Sequence, residues 1–294
     1  MRIGVDLGGT KIEAIALADG GREVFRKRVA TPRGEYEGTV EAIAALVKQA
    51  GKGSVGIGIP GAISAATGLV KNANSNWLIG RPFGADLEHA IGRPVRIEND
   101  ANCFALSEAV DGAGKDAEVV FGVILGTGVG AGVVVRGQVL DGPNGIAGEW
   151  GHNPLPWPRD EERPGAPCFC GRRGCIETFL SGPGLARDHR EVNGADVGPE
   201  AILASALAGD AACEATLARY EERLARALAH VINLLDPDVI VFGGGLSNIE
   251  RLYTNIPQKW GAWVFSDRVD TRLARNVHGD SSGVRGAAWL WGRT

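Results

Sequence analysis

The amino-acid sequence predicts an α/β protein built in two related halves, and three observations carry that prediction. Short apolar strands recur with helical stretches between them, the pattern of layered α/β domains. A strand, a glycine-rich turn with a threonine, and a second strand occur twice, over residues 2–17 and again over 119–135. Glycine numbers 44 of 294 residues, and the glycines gather at 8–9, 56–61, 126–132, 142–151 and 243–245. Clusters separated by ordinary sequence mark tight turns and close backbone approach to a ligand.

Hydrophobic residues make up 44% and charged residues 22% of the chain, which is ordinary for a soluble globular protein with sizeable cores. The formal net charge of -4 offers no general attraction for nucleic acid or anionic lipid. Residues 1–6 run straight into a strand pattern, without the charged and apolar regions of a secretion signal. No apolar run reaches the roughly 18 residues of a membrane-spanning helix. A cytoplasmic protein without nucleic-acid or membrane partners is expected, and there reduced thiols favour metal ligation over disulfides.

Residues 2–7 form a short apolar strand that ends in Asp6-Leu7-Gly8-Gly9-Thr10-Lys11 and resumes over 12–17, a hairpin with a glycine pair in its turn. Such a turn presents backbone N–H groups and a hydroxyl to a phosphate, and Asp6 suits Mg2+; a plain hairpin is the competing reading. P-loop and Rossmann spacings are both missing. A third strand is predicted over 23–29. Apolar spacing at Val40, Ile43, Ala44, Leu46 and Val47 predicts a helix over 36–50. Residues 54–59 make a buried strand that stops at Pro60-Gly61-Ala62.

The irregular stretch 64–84 holds Asn72, Asn74, Asn76 and Trp77. Amides beside an aromatic ring suit a polyhydroxy ligand, and equally suit turns stabilised by asparagine. A helix over 86–91 and a strand over 95–98 deliver Asn99-Asp100 at the strand's C-terminal end, where open α/β sheets bind ligands. Asp100 could instead cap the helix predicted over 101–110.

The apolar strand 119–125 breaks into Gly126-Thr127-Gly128-Val129-Gly130 and resumes over 133–135. Paired with the turn at Gly8-Gly9-Thr10, it points to a duplicated architecture that holds a ligand's phosphates. Residues 178–190 read as helical with a turn at Ser181-Gly182, and 199–209 and 213–235 as helices, the last with a core stripe through Leu217, Tyr220, Leu224 and Leu228. Strand 238–242 ends in Gly243-Gly244-Gly245, which allows a flat ring such as adenine to approach the backbone, or simply turns the chain. A final helix covers 283–291. Residues 1–115, completed by 283–294, are expected to form a smaller domain, and 116–282 a larger one.

The chain concentrates its metal-binding chemistry between Gly148 and Glu177. His152 precedes Cys168, Cys170 and Cys175, a donor set that suits a tetrahedral zinc site. Glu149 and Glu177 flank the set, so a closed metal loop would bring two carboxylates towards one place. Cys103 and Cys213 lie on predicted helices and read as packing residues.

The motifs at Asp6–Lys11, Asn99-Asp100, Gly126–Gly128, Glu149-Trp150-Gly151-His152 and Cys168–Glu177 together resemble the ROK family of bacterial sugar kinases and repressors, over the whole chain. Segments 71–77, 152–157 and 278–286 resemble the fructokinases (manno-fructokinases) within it. The resemblance implies an actin-like ATPase (ribonuclease H-like) fold, two α/β domains around a cleft, and a homodimer. It implies transfer of the ATP γ-phosphate to the 6-hydroxyl of fructose or mannose, with glucose or an N-acetylhexosamine as alternatives. Asp100 matches the catalytic base, and Gly61, Asn76, Asn99, Asp100, Glu149, His152 and Glu177 are the candidate sugar contacts. Asp6, Gly8, Gly9, Thr10, Lys11, Gly126, Thr127, Gly128 and Gly130 match the Mg2+–phosphate end of ATP, and Gly243, Gly244 and Gly245 the adenosine end. His152, Cys168, Cys170 and Cys175 match structural Zn2+ ligands. Regulators of the family carry a helix-turn-helix ahead of the first phosphate turn, and only five residues precede Asp6 here, so an enzyme is expected.

Overall fold

The computed structural model describes residues 1–73 and 75–292. It divides into two compact units, Met1–Asp116 with Gly132–Ala147 and Val277–Thr294, and Ala117–Ala131 with Gly148–Asn276. Residues 132–147 thus group with the first unit, whereas the sequence reading runs the second domain unbroken from 116 to 282. Asn74, one of the amides singled out above, lies outside the described residues.

In chain order the elements are β1 (Arg2–Leu7), β2 (Lys11–Leu17), β3 (Glu23–Ala30), α1 (Tyr36–Ala50), β4 (Ser54–Ile59), β5 (Ala62–Ile63), β6 (Val70–Lys71), α2 (Phe83–Ile91), β7 (Val95–Asn99) and α3 (Asp100–Asp111). There follow β8 (Val119–Leu125), β9 (Val129–Val135), β10 (Gln138–Val139), α4 (Ile176–Leu180), α5 (Gly182–Asn193), α6 (Pro199–Leu207) and α7 (Ala211–Leu235). The chain closes with β11 (Val239–Gly243), α8 (Arg251–Trp260), β12 (Arg272–Arg275) and α9 (Ser282–Trp289).

One sheet runs β3-β2-β1-β4-β7 and the other β10-β9-β8-β11-β12. In each, strands joined by hairpins lie to one side, and parallel strands (β1-β4-β7 and β8-β11-β12) complete the other. The duplication expected from the two glycine turns is therefore a duplication of sheet plan. β1, β2 and β4 are buried on both faces, which is why they read as apolar runs rather than as alternating patterns. β3 is an edge strand, and Arg26, Lys27 and Arg28 on it discourage pairing with another chain.

Helix α1 buries Val40, Ile43, Leu46 and Val47 in the core of the first unit, together with Ile3, Val5, Ile57 and Phe83. The opposite approach to the sheet comes from α9. A Cβ on Gly4 would lie 2.1 Å from the Val284 carbonyl oxygen, and one on Gly56 1.8 Å from that of Ala287. Only glycine in β1 and β4 lets the helix backbone sit this close.

Four features depart from the sequence reading. Residues 64–84 are not wholly irregular, because β6 pairs with β5 in a short ribbon. Residues 178–190 fall in two helices: α4 starts at Ile176, and Ser181 ends it and caps α5 by accepting the Gly184 N–H at 3.1 Å. Helix α8 and strand β12 are additional. Among the described residues no single helix is long and apolar enough to cross a membrane.

The core stripe of α7 is interrupted by charge. Arg223 and Arg226 are buried on it and pair with Glu162 at 2.8 and 2.7 Å, and Arg226 also donates to the Trp157 carbonyl at 2.5 Å. Burying these charges costs free energy that the ion pairs and carbonyl bonds offset. The result is that the long loop before the cysteines is tied to a core helix.

Candidate functional site

In the first unit, β1 and β2 are joined by a turn closed by the Gly8 N–H donating to the Lys11 carbonyl at 2.9 Å. Thr31 holds the turn from β3's end: its hydroxyl donates to the Gly8 carbonyl at 2.8 Å and its N–H to the Thr10 carbonyl at 3.1 Å. Among the described residues the N–H groups of Gly9 and Thr10 donate to nothing, so both remain available to an anion. Asp6 lies at the foot of the turn. Burial raises its carboxyl to about 7, with Asp100 and Glu13 adding to the rise and Lys11 opposing it. Two carboxylates that feel each other in this way suit a cation between or beside them.

Asn99 and Asp100 are the end of β7 and the start of α3. The Asn99 Oδ1 accepts the N–H of Ala101 at 2.9 Å and of Asn102 at 3.4 Å, so Asn99 caps the helix. Its Nδ2 donates to the Gly61 carbonyl at 3.1 Å, joining two of the candidate sugar contacts. The capping role considered for Asp100 therefore belongs to its neighbour. Asp100 occupies the first helical position, where its Oδ1 accepts the Ala101 N–H at 2.8 Å. A carboxylate there is favoured by the helix N-terminus.

The amide-and-ring segment is corrected in part. Trp77 packs against the core of the first unit, and its Nε1 donates to the Thr39 hydroxyl at 3.2 Å, so the ring is no open platform for a sugar. Asn72 has φ 55 and is a turn residue, as the second reading had it. Asn76 is exposed at the start of a 3-10 turn.

In the second unit, His152 Nδ1 lies 3.5 Å from Cys168 Sγ, and Cys170 Sγ lies 3.6 Å from Cys175 Sγ. One ligand atom from each of the four falls within 4.8 Å of every other. Tetrahedral zinc with bonds of about 2.3 Å sets sulfur atoms roughly 3.8 Å apart, so the two close pairs already match zinc and the set as a whole needs only a small contraction to hold it. The cysteine segment is shaped for this by a turn in which the Cys168 N–H donates to the Arg172 carbonyl at 2.8 Å and the Gly171 N–H to the Cys168 carbonyl at 3.0 Å. Burial pushes the Cys175 thiol up to about 12, with the neighbouring Cys170 and Cys168 thiols adding to the rise.

Glu177 stands beside the cluster. Its Oε1 lies 3.9 Å from Cys168 Sγ, and its Oε2 accepts the Val129 N–H at 2.9 Å. A Cβ on Gly128 would fall 2.6 Å from that oxygen, so any other residue there would displace the carboxylate from the Val129 N–H. The glycine turn between β8 and β9 is closed by the Gly126 N–H donating to the Gly128 carbonyl at 3.0 Å, and the Gly182 N–H donates to the Gly126 carbonyl at 2.8 Å. Glu149 is exposed, just before the 3-10 turn that carries His152.

A cavity of about 600 Å³ in the second unit is bounded by Gly126 and Thr127 at one point and by Gly245, Leu246 and Asn248 at another. Two glycine motifs far apart in sequence therefore share a wall. The starts of α5 and α6 supply the remainder, through Gly182, Pro183 and Glu200 among others. The sequence reading missed these residues, because a helix start carries no mark of the cavity it faces. Of the glycines read as nucleotide contacts in this unit, Gly128, Gly130, Gly243 and Gly244 are not among the cavity's walls.

The duplicated sheet plan, a glycine turn on each sheet and a cavity beside one of them define an actin-like ATPase fold, and comparison with known proteins narrows the class. The ROK family model matches residues 2–294, and the chain belongs to that family. N-acetyl-D-glucosamine kinase of Yersinia pseudotuberculosis is 41% identical over 299 residues, covering 99% of this chain and 98% of that one. The crystal structure of the ROK hexokinase from Thermus thermophilus superposes with a TM-score of 0.88 at 32% identity, over 98% of this chain and 97% of that one. A ROK glucokinase from Streptomyces griseus, solved with glucose and AMPPNP, gives 0.79 at 30% identity, over 98% of both chains. The protein is a sugar kinase of this family.

Proposed function

We propose that the protein transfers the γ-phosphate of ATP to the 6-hydroxyl of N-acetyl-D-glucosamine, with Asp100 as the general base. The observation that carries the reaction is the division of labour at the start of α3. Asn99 satisfies the helix N-terminus, and Asp100 is set beside it as an acceptor. The sugar rests on the N-acetyl-D-glucosamine kinases that match this chain almost end to end at about 40% identity. Fructose, with mannose, is the second reading, supported by the segments at 71–77, 152–157 and 278–286.

Asp100 accepts the hydroxyl proton as the sugar oxygen bonds to the γ-phosphorus and the bond to the β–γ bridging oxygen breaks, releasing ADP. The spare N–H groups of Gly9 and Thr10 would stabilise phosphate charge, and they need no reorganisation to do so. Asp6 would hold Mg2+, which supplies further charge neutralisation at the phosphates when bound. In the first unit Asn99 would take sugar hydroxyls, with Gly61 and Asn76 as further candidates; in the second Glu149 and Glu177 would, with His152 as a further candidate. His152, Cys168, Cys170 and Cys175 would hold zinc as a clamp, with no open ligand position and no part in the chemistry.

The test is ADP release in a coupled assay across N-acetyl-D-glucosamine, fructose, mannose and glucose. Turnover fastest with N-acetyl-D-glucosamine at low concentration is expected. A protein that prefers fructose establishes the second reading, and one that releases no ADP with any hexose overturns both.

A further inference from the structure

The cavity of the second unit has mostly apolar walls, from Pro183, Leu203, Leu246 and Ile249, and few polar side chains. Thr127 belongs to the glycine turn. Asn248 is already engaged: its Nδ2 donates to the Gly245 carbonyl at 3.1 Å, and its Oδ1 accepts from Arg275. Glu200 is different. It is the one ionisable residue on the cavity wall, and among the described residues its carboxylate makes no hydrogen bond and no ion pair. It is exposed, in the first turn of α6 behind Pro199.

We propose that Glu200 recognises the ribose of the nucleotide, its two carboxylate oxygens accepting the 2′- and 3′-hydroxyls. The proposal rests on the reading of this cavity as the ATP site. A carboxylate repels phosphate, so it has to meet an uncharged part of the nucleotide, and the phosphates belong with the glycine turn at Gly126 and Thr127. Adenine is flat and apolar on its faces, and it belongs against Leu203, Leu246 and Ile249. Ribose remains as the hydrated, hydroxyl-bearing part that a rim carboxylate can reach. Carboxylates serve nucleotide ribose in the same chemical way in other α/β folds. A site built to hydrogen-bond a hydroxyl discriminates against an analogue without it, because the acceptor is left unpaired.

The experiment compares ATP with 2′,3′-dideoxy-ATP, in wild type and in Glu200→Gln, by steady-state kinetics with saturating sugar and by calorimetric binding of the two diphosphates. Wild type is expected to show a KM for ATP roughly 10-fold below that for the dideoxy nucleotide. Glu200→Gln should raise the KM for ATP by about that factor, leaving the dideoxy KM and both kcat values within about twofold. An acid that merely stabilises the start of α6 would shift Tm and leave the ratio unchanged. Equal weakening of both nucleotides by the substitution, or a wild type indifferent to the hydroxyls, overturns the proposal. A change in the ATP-to-GTP ratio alone places the carboxylate on the base and overturns it too. A protein that binds neither diphosphate refutes the ATP site itself, which is a separate failure.

Discussion

Glu177 reaches the Val129 N–H at 2.9 Å, and with that single bond the cysteine segment holds the glycine turn between β8 and β9. The same carboxylate lies 3.9 Å from Cys168 Sγ through its other oxygen. The cysteine segment and the glycine turn are therefore one mechanical assembly. Glu177→Ala removes an acceptor from a charged group, worth about 1.5–3 kcal/mol. The KM for ATP should rise along with that for the sugar, whereas Glu177→Gln, whose amide oxygen can still accept from Val129, should spare ATP more than sugar. Initial-rate kinetics with each substrate varied in turn separates the two effects.

Asp100 is the residue whose loss should silence turnover. Asp100→Asn leaves the cap on Asn99 and the first helical position filled, so folding should be retained. A general base is worth about 100- to 10,000-fold in rate. The fall should lie in kcat, with KM for ATP little changed. Unimpaired turnover would remove Asp100 from the role of base.

Asn99→Ala is expected to cost in two ways. Losing the cap should lower stability by about 0.5–2 kcal/mol, seen as a drop in Tm. Losing the bond to the Gly61 carbonyl frees the β4–β5 connection, so the sugar KM should rise as well. Asn99→Asp, which keeps a capping oxygen but cannot donate to Gly61, should restore Tm and leave the sugar KM high.

Glu98 sets a pH dependence of stability. Burial raises its carboxyl to about 7, and nearby Asp141 adds to the rise, against bonds from Asn102 and the Asn99 N–H that lower it. The folded state thus holds a proton that the unfolded chain, with its carboxyl near 4.5, has already lost. Between those two values the native state binds more protons, so stability falls as pH rises. Glu98→Gln removes that loss and keeps an oxygen for Asn102. Its Tm relative to wild type should climb from pH 5 to pH 8, and a flat difference would refute the burial of a protonated Glu98.

Zinc removal gives the fourth-ligand test. About one zinc per chain is expected by metal analysis, with the thiols of Cys168, Cys170 and Cys175 unreactive until a chelator is added. Chelation should weaken sugar binding and, through Glu177, nucleotide binding. Metal-free protein of equal stability and activity would remove the clamp.

Much of the site was legible because its chemistry is local. The cysteine spacing, the two glycine turns and Asn99-Asp100 each announce themselves within a few residues. Their supports are remote in sequence and were not legible: Thr31 on the first turn, Glu177 on the Val129 N–H, Arg226 on the loop at Trp157. Trp77 misled because an indole reads alike whether it faces a sugar or the core, and only Thr39, on another element, decides it. Helix α8 has Leu252, Ile256 and Trp260 on one face, but Pro257 inside it breaks the signal. Strand β12 is four residues bounded by arginines, and it is a strand only because β11 lies beside it. The central strands β1, β2, β4, β8 and β11 were legible, since strands buried on both faces must be apolar whatever their neighbours, whereas the short β5, β6, β10 and β12 were not.

The close seating of α9 on Gly4 and Gly56 sets an order of events during synthesis. The first unit's opening strands leave the ribosome early, yet the backbone they must receive is among the last to be made. On that face β1 also carries Arg2, stacked on the Trp289 ring of α9, and Asp6, beside Gly283, so the helix covers two charged side chains as well as bare glycine. The second unit, complete once residue 276 has emerged, can condense first. The first unit thus cannot complete the packing of β1 and β4 until Ser282–Trp289 are in place.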